Sequence, residues 1–322
     1  MSTTNVDDVA HAAQRAAARI AEYVRETPLD YSPAFSKETG ANVFFKLENL
    51  QHTGSFKLRG ATNRLMTLSP EQRETGCVAA SSGNHGAAVA YAMGKLGVRG
   101  VIFVPEKTSP TKVEAIRFYD GDVRFFGTDG LDTELHARDY AAQKGMFYLS
   151  PYNDYEVLVG QGTCGVEIAA QLPDIDDIFI AIGGGGLISG VGSVLKAHNK
   201  DVRVIGCQPR ASAVMTHSVE AGSILEMPSE PTLSDGTAGG IEPGAITFDI
   251  CRAVTDEYVL VDEDAIAAAM RMYMDAEHQL IEGAAGVAIA GMLARKVELT
   301  GRNVVIIVCG ANISRDALRT VI

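Results

Sequence analysis

What most restricts the folding of this 322-residue chain is the alternation of two kinds of segment along it. Short β-branched and apolar runs have the length and make-up of buried strands. They are Val43–Leu47, Val78–Ala80, Val101–Val104, Val123–Phe126, Ile178–Ile182, Val202–Gly206, Tyr258–Val261 and Val304–Val308. Between them lie Ala-rich stretches of helical character: His85–Leu96, Thr111–Tyr119, Leu131–Lys144, Gln161–Gln171, Leu187–His198, Asp264–His278 and Ala284–Glu298. Strands that alternate with helices are joined by crossovers, which give parallel sheets covered by helices on both faces. The expected class is α/β, and the length suits two domains packed around a cleft. Ligands of open α/β sheets sit beyond the carboxyl ends of the strands. Two motifs, Ser81–Gly86 and Gly183–Gly190, fall at such ends. Ala221–Pro243, broken by Pro228, Pro231, Gly239, Gly240 and Pro243, reads as a long ordered loop bordering the site.

A formal net charge of −12 gives no support to a basic face, so nucleic-acid binding is not expected. A single phosphate is still compatible, because backbone N–H groups in a Gly-rich loop hold one without a basic protein. Cys77, Cys164, Cys207, Cys251 and Cys309 lie far apart with no C-x-x-C pair, against a zinc ribbon or a disulfide scaffold. Such an odd, unpatterned set suits reduced thiols in a cytoplasm. The first 24 residues carry Asp7 and Asp8 and lack a signal-peptide layout. No apolar run reaches the roughly 20 residues that span a bilayer. The expectation is a cytoplasmic protein with neither nucleic acid nor membrane as partner.

Three motifs carry chemistry. In Gly54-Ser55-Phe56-Lys57-Leu58-Arg59-Gly60, Ser55 is a candidate helix N-cap, which puts Lys57 in the first turn. The helix dipole and the flanking Phe56 and Leu58 would lower the lysine pKa and free an amine for an aldehyde. Alone, the same lysine also reads as a solvated surface residue. Ser81-Ser82-Gly83-Asn84-His85-Gly86 follows a strand and opens a helix, which makes either an anion and hydroxyl site or a plain capped turn. Gly183-Gly184-Gly185-Gly186-Leu187-Ile188-Ser189-Gly190 spends backbone entropy on four successive glycines, as close approach to a phosphate requires. No register fits G-x-G-x-x-G, and no acid follows the next strand to grip a ribose, so the loop suits one phosphate and not a dinucleotide.

In this order and spacing the three motifs resemble the fold-type II pyridoxal phosphate enzymes, above all the threonine and serine dehydratases and serine racemase. The resemblance runs from Arg25-Glu26-Thr27-Pro28-Leu29 through Lys46-Leu47-Glu48-Asn49 to Cys309-Gly310-Ala311-Asn312. It implies two domains, each an open, largely parallel twisted sheet flanked by helices, as in the tryptophan synthase β subunit. Residues 1–72 and 150–322 would form a larger cofactor-anchoring domain, and 73–149 a smaller mobile one. The implied cofactor is pyridoxal 5'-phosphate, joined to Lys57, which then acts as acid and base. By the same resemblance Phe56 packs on the ring, and Asn84 bonds the phenolic oxygen. Gly183, Gly184, Gly185, Gly186 and Leu187 hold the phosphate. Ser81, Ser82, Gly83 and His85 cradle the substrate carboxylate, and Ser82 is also placed to protonate the opposite face. Cys309 falls at the partner of the pyridine nitrogen. A thiol there should leave that nitrogen largely unprotonated and favour prompt loss of a β-leaving group.

The implied reaction is β-elimination from a small hydroxy-amino acid such as L-threonine or L-serine, giving a 2-oxo acid and ammonia. Some relatives bind a divalent cation just after the strand matching Val202–Gly206, but Gln208 and Val214 stand where carboxylates are needed, so no metal is expected. Alternatives are an amino-acid racemase using Ser82 and a dehydratase for an acidic substrate such as 3-hydroxyaspartate. The latter needs an arginine, and Thr128–Glu134 instead holds Asp129, Asp132 and Glu134, leaving Arg59, Arg138 or Arg210 to reach in. Glu282 and Asp235 match positions bordering the site, with Glu282 able to approach the ring substituents or a substrate hydroxyl. His136, His217 and His278 read as solvated or capping residues. A homodimer is the base-rate expectation.

Overall fold

The computed structural model describes residues 5–322; residues 1–4, part of the stretch read above for a leader, lie outside it. Among the described residues the strands are β1 (Leu29–Tyr31), β2 (Asn42–Lys46), β3 (Cys77–Ala80), β4 (Gly100–Val104), β5 (Val123–Phe125), β6 (Phe147–Tyr148), β7 (Asp177–Ala181), β8 (Arg203–Pro209), β9 (Glu257–Val261) and β10 (Asn303–Ile307). The first helices are α1 (Val6–Ile20), α2 (Pro33–Thr39), α3 (Lys57–Met66), α4 (Pro70–Thr75), α5 (Asn84–Leu96), α6 (Pro110–Arg117) and α7 (Gly130–Lys144). They are followed by α8 (Tyr155–Gln171), α9 (Gly186–His198), α10 (Val214–Ala221), α11 (Ile246–Val254), α12 (Glu263–Glu277), α13 (Gly283–Ala294) and α14 (Arg315–Val321).

Two sheets result, as the alternation requires. One has the order β1-β2-β10-β7-β8-β9 and the other β5-β4-β3-β6. Every pairing is parallel except that of β1 with β2. The inner parallel strands β4, β7, β8 and β10 are buried on both faces, β10 reading Val304, Val305, Ile306 and Ile307 without a polar break. Ladder pairs Ile307–Lys46 and Ile306–Phe179 bring the carboxyl ends of β2, β10 and β7 to one level. The segments that follow, Glu48 onward, Cys309 onward and Gly183 onward, therefore emerge on one side.

Helix α3 joins the two sheets. Its Leu58, Ala61 and Leu65 share a core with Cys77, Ala79, Ala88, Val89, Ile102 and Val104 of the four-stranded sheet and its helix, and with Val157 of α8. Beneath it Arg59, fully buried, donates to both oxygens of Glu48 (2.8 and 2.7 Å) and of Glu167 (2.6 and 2.8 Å). Lys46 Nζ completes the network on Glu167 at 2.6 Å. Two cations thus face two anions, which ties the end of β2, α3 and α8 together.

The structure corrects several boundaries. β8 runs three residues past the expected Gly206, and the helix expected from Gln161 begins at Tyr155 behind an Asp154 cap. The helix expected to reach Glu298 ends at Ala294 and gives way to a 3₁₀ turn, Lys296–Glu298. His136, half-buried, stacks its ring on Phe126, with centroids 3.6 Å apart. The segment after α10 is irregular as far as α11, as expected.

Candidate cofactor and substrate site

Helix α3 starts at Lys57, with Phe56 and not Ser55 at the cap position. Ser55 instead pairs with Gly310 across the chain, and its buried Oγ has no partner. The Phe56 N–H donates to the carbonyl of Cys309 (3.1 Å), so the far end of the sequence fixes where this helix begins. Lys57 still falls in the first turn. Its Nζ donates to the carbonyl of Pro151 at 2.9 Å and lies 5.3 Å from the Phe56 ring centroid. Removal from water lowers its pKa to about 8, against the opposing pull of Cys309 and Glu282. Near pH 8 about half of such amines are neutral, the form that attacks an aldehyde.

Cys309 follows β10, buried, with Sγ 3.7 Å from Glu282 Oε1. Burial raises its thiol well above the ordinary value. Glu282 is buried too, and both its oxygens accept from Asn84 Nδ2 at 3.0 and 2.9 Å. Asn84 Oδ1 in turn accepts from Asn312 Nδ2 at 2.7 Å. Asn84, Glu282, Cys309 and Asn312, distant in sequence, thus form one polar cluster beside the start of α3.

Ser81, Ser82 and Gly83 form the turn from β3 into α5, whose first N–H groups carry no side-chain cap. Ser81 Oγ accepts from the Gly83 N–H at 3.2 Å, and Ser82 is half-buried. His85 is buried, with Nε2 3.0 Å from the carbonyl of Leu149. Burial, with the Lys57 charge adding to it, depresses its pKa to about 3. A neutral imidazole with its Nε2–H on a carbonyl holds the 149–152 segment, the one whose Pro151 receives Lys57.

Gly183 through Leu187 turn from β7 into α9. Gly185 caps that helix at φ +84°, a conformation that needs glycine, and no side chain caps it. A Cβ built on Gly184 falls 2.5 Å from Tyr152 Cδ1, so only glycine lets that ring lie on the loop. Among the described residues, the N–H groups of Gly184 through Leu187 have no partner within the chain. An uncapped helix start with free amides is what a phosphate monoester requires. A buried amine of lowered pKa after β2 and an amide cradle after β7, on the same side of the sheet, fit pyridoxal phosphate.

Residues 20–310 match the family described as "Pyridoxal-phosphate dependent enzyme", and the chain belongs to it. An L-threonine ammonia-lyase of Geobacter sulfurreducens is 38% identical over 310 residues, 96% of this chain and 77% of that protein. Among solved structures, the processed form of threonine deaminase isoform 2 from Solanum lycopersicum superposes with a TM-score of 0.94 at 34% identity, covering 100% of this chain and 94% of that one. Maize serine racemase superposes at 0.91 with 33% identity, covering 97% and 95%. The fold is thus the fold-type II architecture, and the cofactor is pyridoxal phosphate.

Some site features were not legible in the motifs. Pro151 and Tyr152, which contact Lys57 and the glycine loop, sit in a turn with no family signature of its own; only the Pro-Tyr-Asn-Asp composition marks it. Tyr152 OH accepts from the Glu242 N–H at 2.9 Å, which brings the irregular segment before α11 to the site. The three arginines considered for an acidic substrate are all committed: Arg59 as above, Arg138 to Glu134 (2.7 Å) and Glu242 (2.8 Å), Arg210 to Asp262 (2.9 Å). His217 pairs with Glu220 at 3.0 Å, and His278 ends α12 at φ 56°.

Proposed function

We propose that this chain removes ammonia by β-elimination from a small, neutral hydroxy-amino acid, L-threonine or L-serine, giving a 2-oxo acid. The observation that carries the proposal is Lys57: an enclosed amine with its pKa lowered to about 8, at the start of α3 and against Pro151. The named activities of the relatives support it. So does the commitment of Arg59, Arg138 and Arg210 to carboxylates of the chain, which leaves none of these for a second substrate carboxylate.

Bound pyridoxal phosphate supplies an aldehyde for the substrate amine and a conjugated ring that draws electron density from Cα. Lys57 would hold the cofactor through its amine, and that amine would take the proton from Cα of the substrate. The amides of Gly183, Gly184, Gly185, Gly186 and Leu187 hold the phosphate. Phe56, Asn84 and Cys309 would hold the ring, Asn84 by its phenolic oxygen and Cys309 by its nitrogen. Ser81, Ser82, Gly83 and the opening of α5, steadied by neutral His85, hold the substrate carboxylate. Two anionic groups gripped by two helix starts fix the Cα–H bond relative to the ring, an orientation effect. The 73–149 unit is taken as a smaller domain that closes on the remainder. Ion pairs Lys112–Asp235 (3.1 Å) and Arg138–Glu242 (2.8 Å), which link it to the segment before α11, suit that role.

Gln208, in place of a metal-binding carboxylate, spends its side chain on Ile182, Ser212 and Thr216, which supports a site without metal. Five free, buried cysteines suit a reducing cytoplasm, and a homodimer is the proposed assembly. Serine racemization is the second reading, favoured by half-buried Ser82 at the α5 opening. A panel of hydroxy-amino acids, with 2-oxo acid, ammonia and recovered enantiomers all quantified, tests the proposal. Equal amounts of 2-oxo acid and ammonia from threonine or serine are expected. D-isomer in excess of 2-oxo acid at early times contradicts it.

A further inference from the structure

Glu242 stands in the irregular segment before α11 and belongs to none of the three motifs. Its side chain is 23% exposed and sits between two donors. Asn153 Nδ2 reaches Oε2 at 2.9 Å, and Arg138 of α7 reaches Oε1 at 2.8 Å. The Glu242 N–H donates to Tyr152 OH at 2.9 Å, and the Ile246 N–H donates to Asn153 Oδ1 at 3.1 Å. Within the turn, the Asn153 N–H donates to Ser150 Oγ at 3.0 Å. Bonds therefore run in both directions between the 150–153 turn and the chain that enters α11.

That turn meets the site twice. The Pro151 carbonyl receives the Lys57 amine at 2.9 Å. The Tyr152 ring backs the glycine loop so closely that a Cβ on Gly186 would fall 3.2 Å from Tyr152 Cβ. Thr247, in the first turn of α11, holds the same loop by donating to the Gly184 carbonyl at 2.7 Å. The amine follows β2 and the phosphate cradle follows β7, and the 150–153 turn touches both.

We propose that Glu242 is a positioning residue: its carboxylate clamps the 150–153 turn, which fixes the Lys57 amine and the phosphate loop relative to one another, with Arg138 holding the carboxylate from the other side. The inference rests on the reading of Lys57 and of the Gly183–Leu187 amides given above. A carboxylate accepts at both oxygens, so it satisfies both donors. Glutamine, of the same size, has one acceptor and turns an amide donor toward Asn153 or Arg138. Two opposed donors then push the turn out of place. Burial is the largest influence on the Lys57 amine, and its titratable neighbours are Cys309, Glu282 and His85, none of them bonded to Glu242. A loosened turn admits water to that amine and raises its pKa toward the ordinary lysine value. Simple loss of a negative charge would lower it, so the sign separates positioning from a direct field effect.

The test uses cofactor-free protein and two measurements: the pH midpoint of Lys57 acylation by peptide mass analysis, and pyridoxal phosphate affinity by fluorescence titration. Native protein is compared with Glu242→Gln and with Glu242→Gln combined with Asn153→Asp. In the double variant the glutamine amide donates to the carboxylate placed at 153, its carbonyl accepts from Arg138, and the Ile246 N–H keeps its acceptor. Glu242→Gln should raise the Lys57 midpoint and weaken cofactor binding about 3- to 10-fold, the effect of one or two lost hydrogen bonds. The double variant should bring both measurements back toward native. A midpoint that stays or falls in Glu242→Gln, or an unchanged affinity, overturns the proposal, whatever the stability in urea. A double variant no better than the single one overturns it too. Should Glu242→Gln not fold, Tyr152→Phe decides, since it removes only the acceptor of the Glu242 N–H. A raised midpoint with weakened binding supports the proposal there, and either measurement unmoved overturns it. Hydride trapping of the native holoenzyme separates the two kinds of failure. Label on Lys57 beside such negative results sinks the inference alone, and label on another lysine sinks the reading beneath it as well.

Discussion

Glu48→Gln perturbs the buried charge network under α3 by one charge and almost no volume. In the native protein Lys46 and Arg59 face Glu48 and Glu167, so the network is neutral. Arg59 meets Glu48 through two bonds, 2.8 and 2.7 Å, and neither side chain of that pair reaches solvent. Glutamine offers one acceptor in place of two and turns an amide donor toward guanidinium or toward Thr27. Removing one partner of a buried pair costs about 3–5 kcal/mol, because the other charge stays buried. Equilibrium urea unfolding of the cofactor-free protein should show that loss with an unchanged denaturant slope. Glu48→Leu with Arg59→Met, which leaves Lys46 and Glu167 as a balanced pair, should recover most of it. Burial is the largest influence and raises the Glu48 carboxyl, but the charge and hydrogen bonds of Arg59, with Lys46 and Thr27, together outweigh it and its pKa is lowered on balance. A carboxyl lowered by folding stabilises above its unfolded value of about 4.3, and that contribution is lost as pH falls through the folded value. The variant should therefore lack this part of the native protein's acid sensitivity. A cost below about 1 kcal/mol would refute the reasoning, since exposed pairs are worth only that.

The remaining predictions concern the site. In cofactor-free protein, acylation of Lys57 followed by peptide mass analysis should rise with pH to a plateau, with a midpoint near the lowered value of about 8; a midpoint with the surface lysines would contradict its enclosure. Gly184→Ala places a Cβ 2.5 Å from Tyr152 Cδ1 and should weaken cofactor binding by about 1–3 kcal/mol, roughly 5- to 150-fold by fluorescence titration. Gly240→Ala, with open space around it, should not. Lys57→Ala should retain the fold by circular dichroism and lose 2-oxo acid formation by about 10³-fold or more; activity within tenfold of native would place the base elsewhere.

How much was legible differs by scale. The inner parallel strands show in sequence because burial on both faces selects unbroken apolar runs such as Val304–Ile307. β1 and β6 do not, since three and two residues of an edge or short strand carry no such selection. The early start of α8 was missed: the expected helix began at Gln161, just after Gly160, which in fact lies within it. At Gly160 a Cβ would fall 2.7 Å from Gly60 Cα, so the glycine serves the close approach of α8 to α3. Ser55 was misread as a cap because its partner, Gly310, lies at the other end of the chain. The motifs placed Lys57, Asn84 and the glycine loop by local pattern. The contacts that shape their chemistry, Pro151 to Lys57 and Glu282 to Cys309, are tertiary and have no local signal.

The most direct measurement on the central claim is hydride trapping of the cofactor on the enzyme, followed by peptide mapping. The label should appear on the Lys57 peptide alone and be absent from Lys57→Ala. Label on Lys46, Lys112 or any other side chain, or none after trapping, would contradict the assignment of the site.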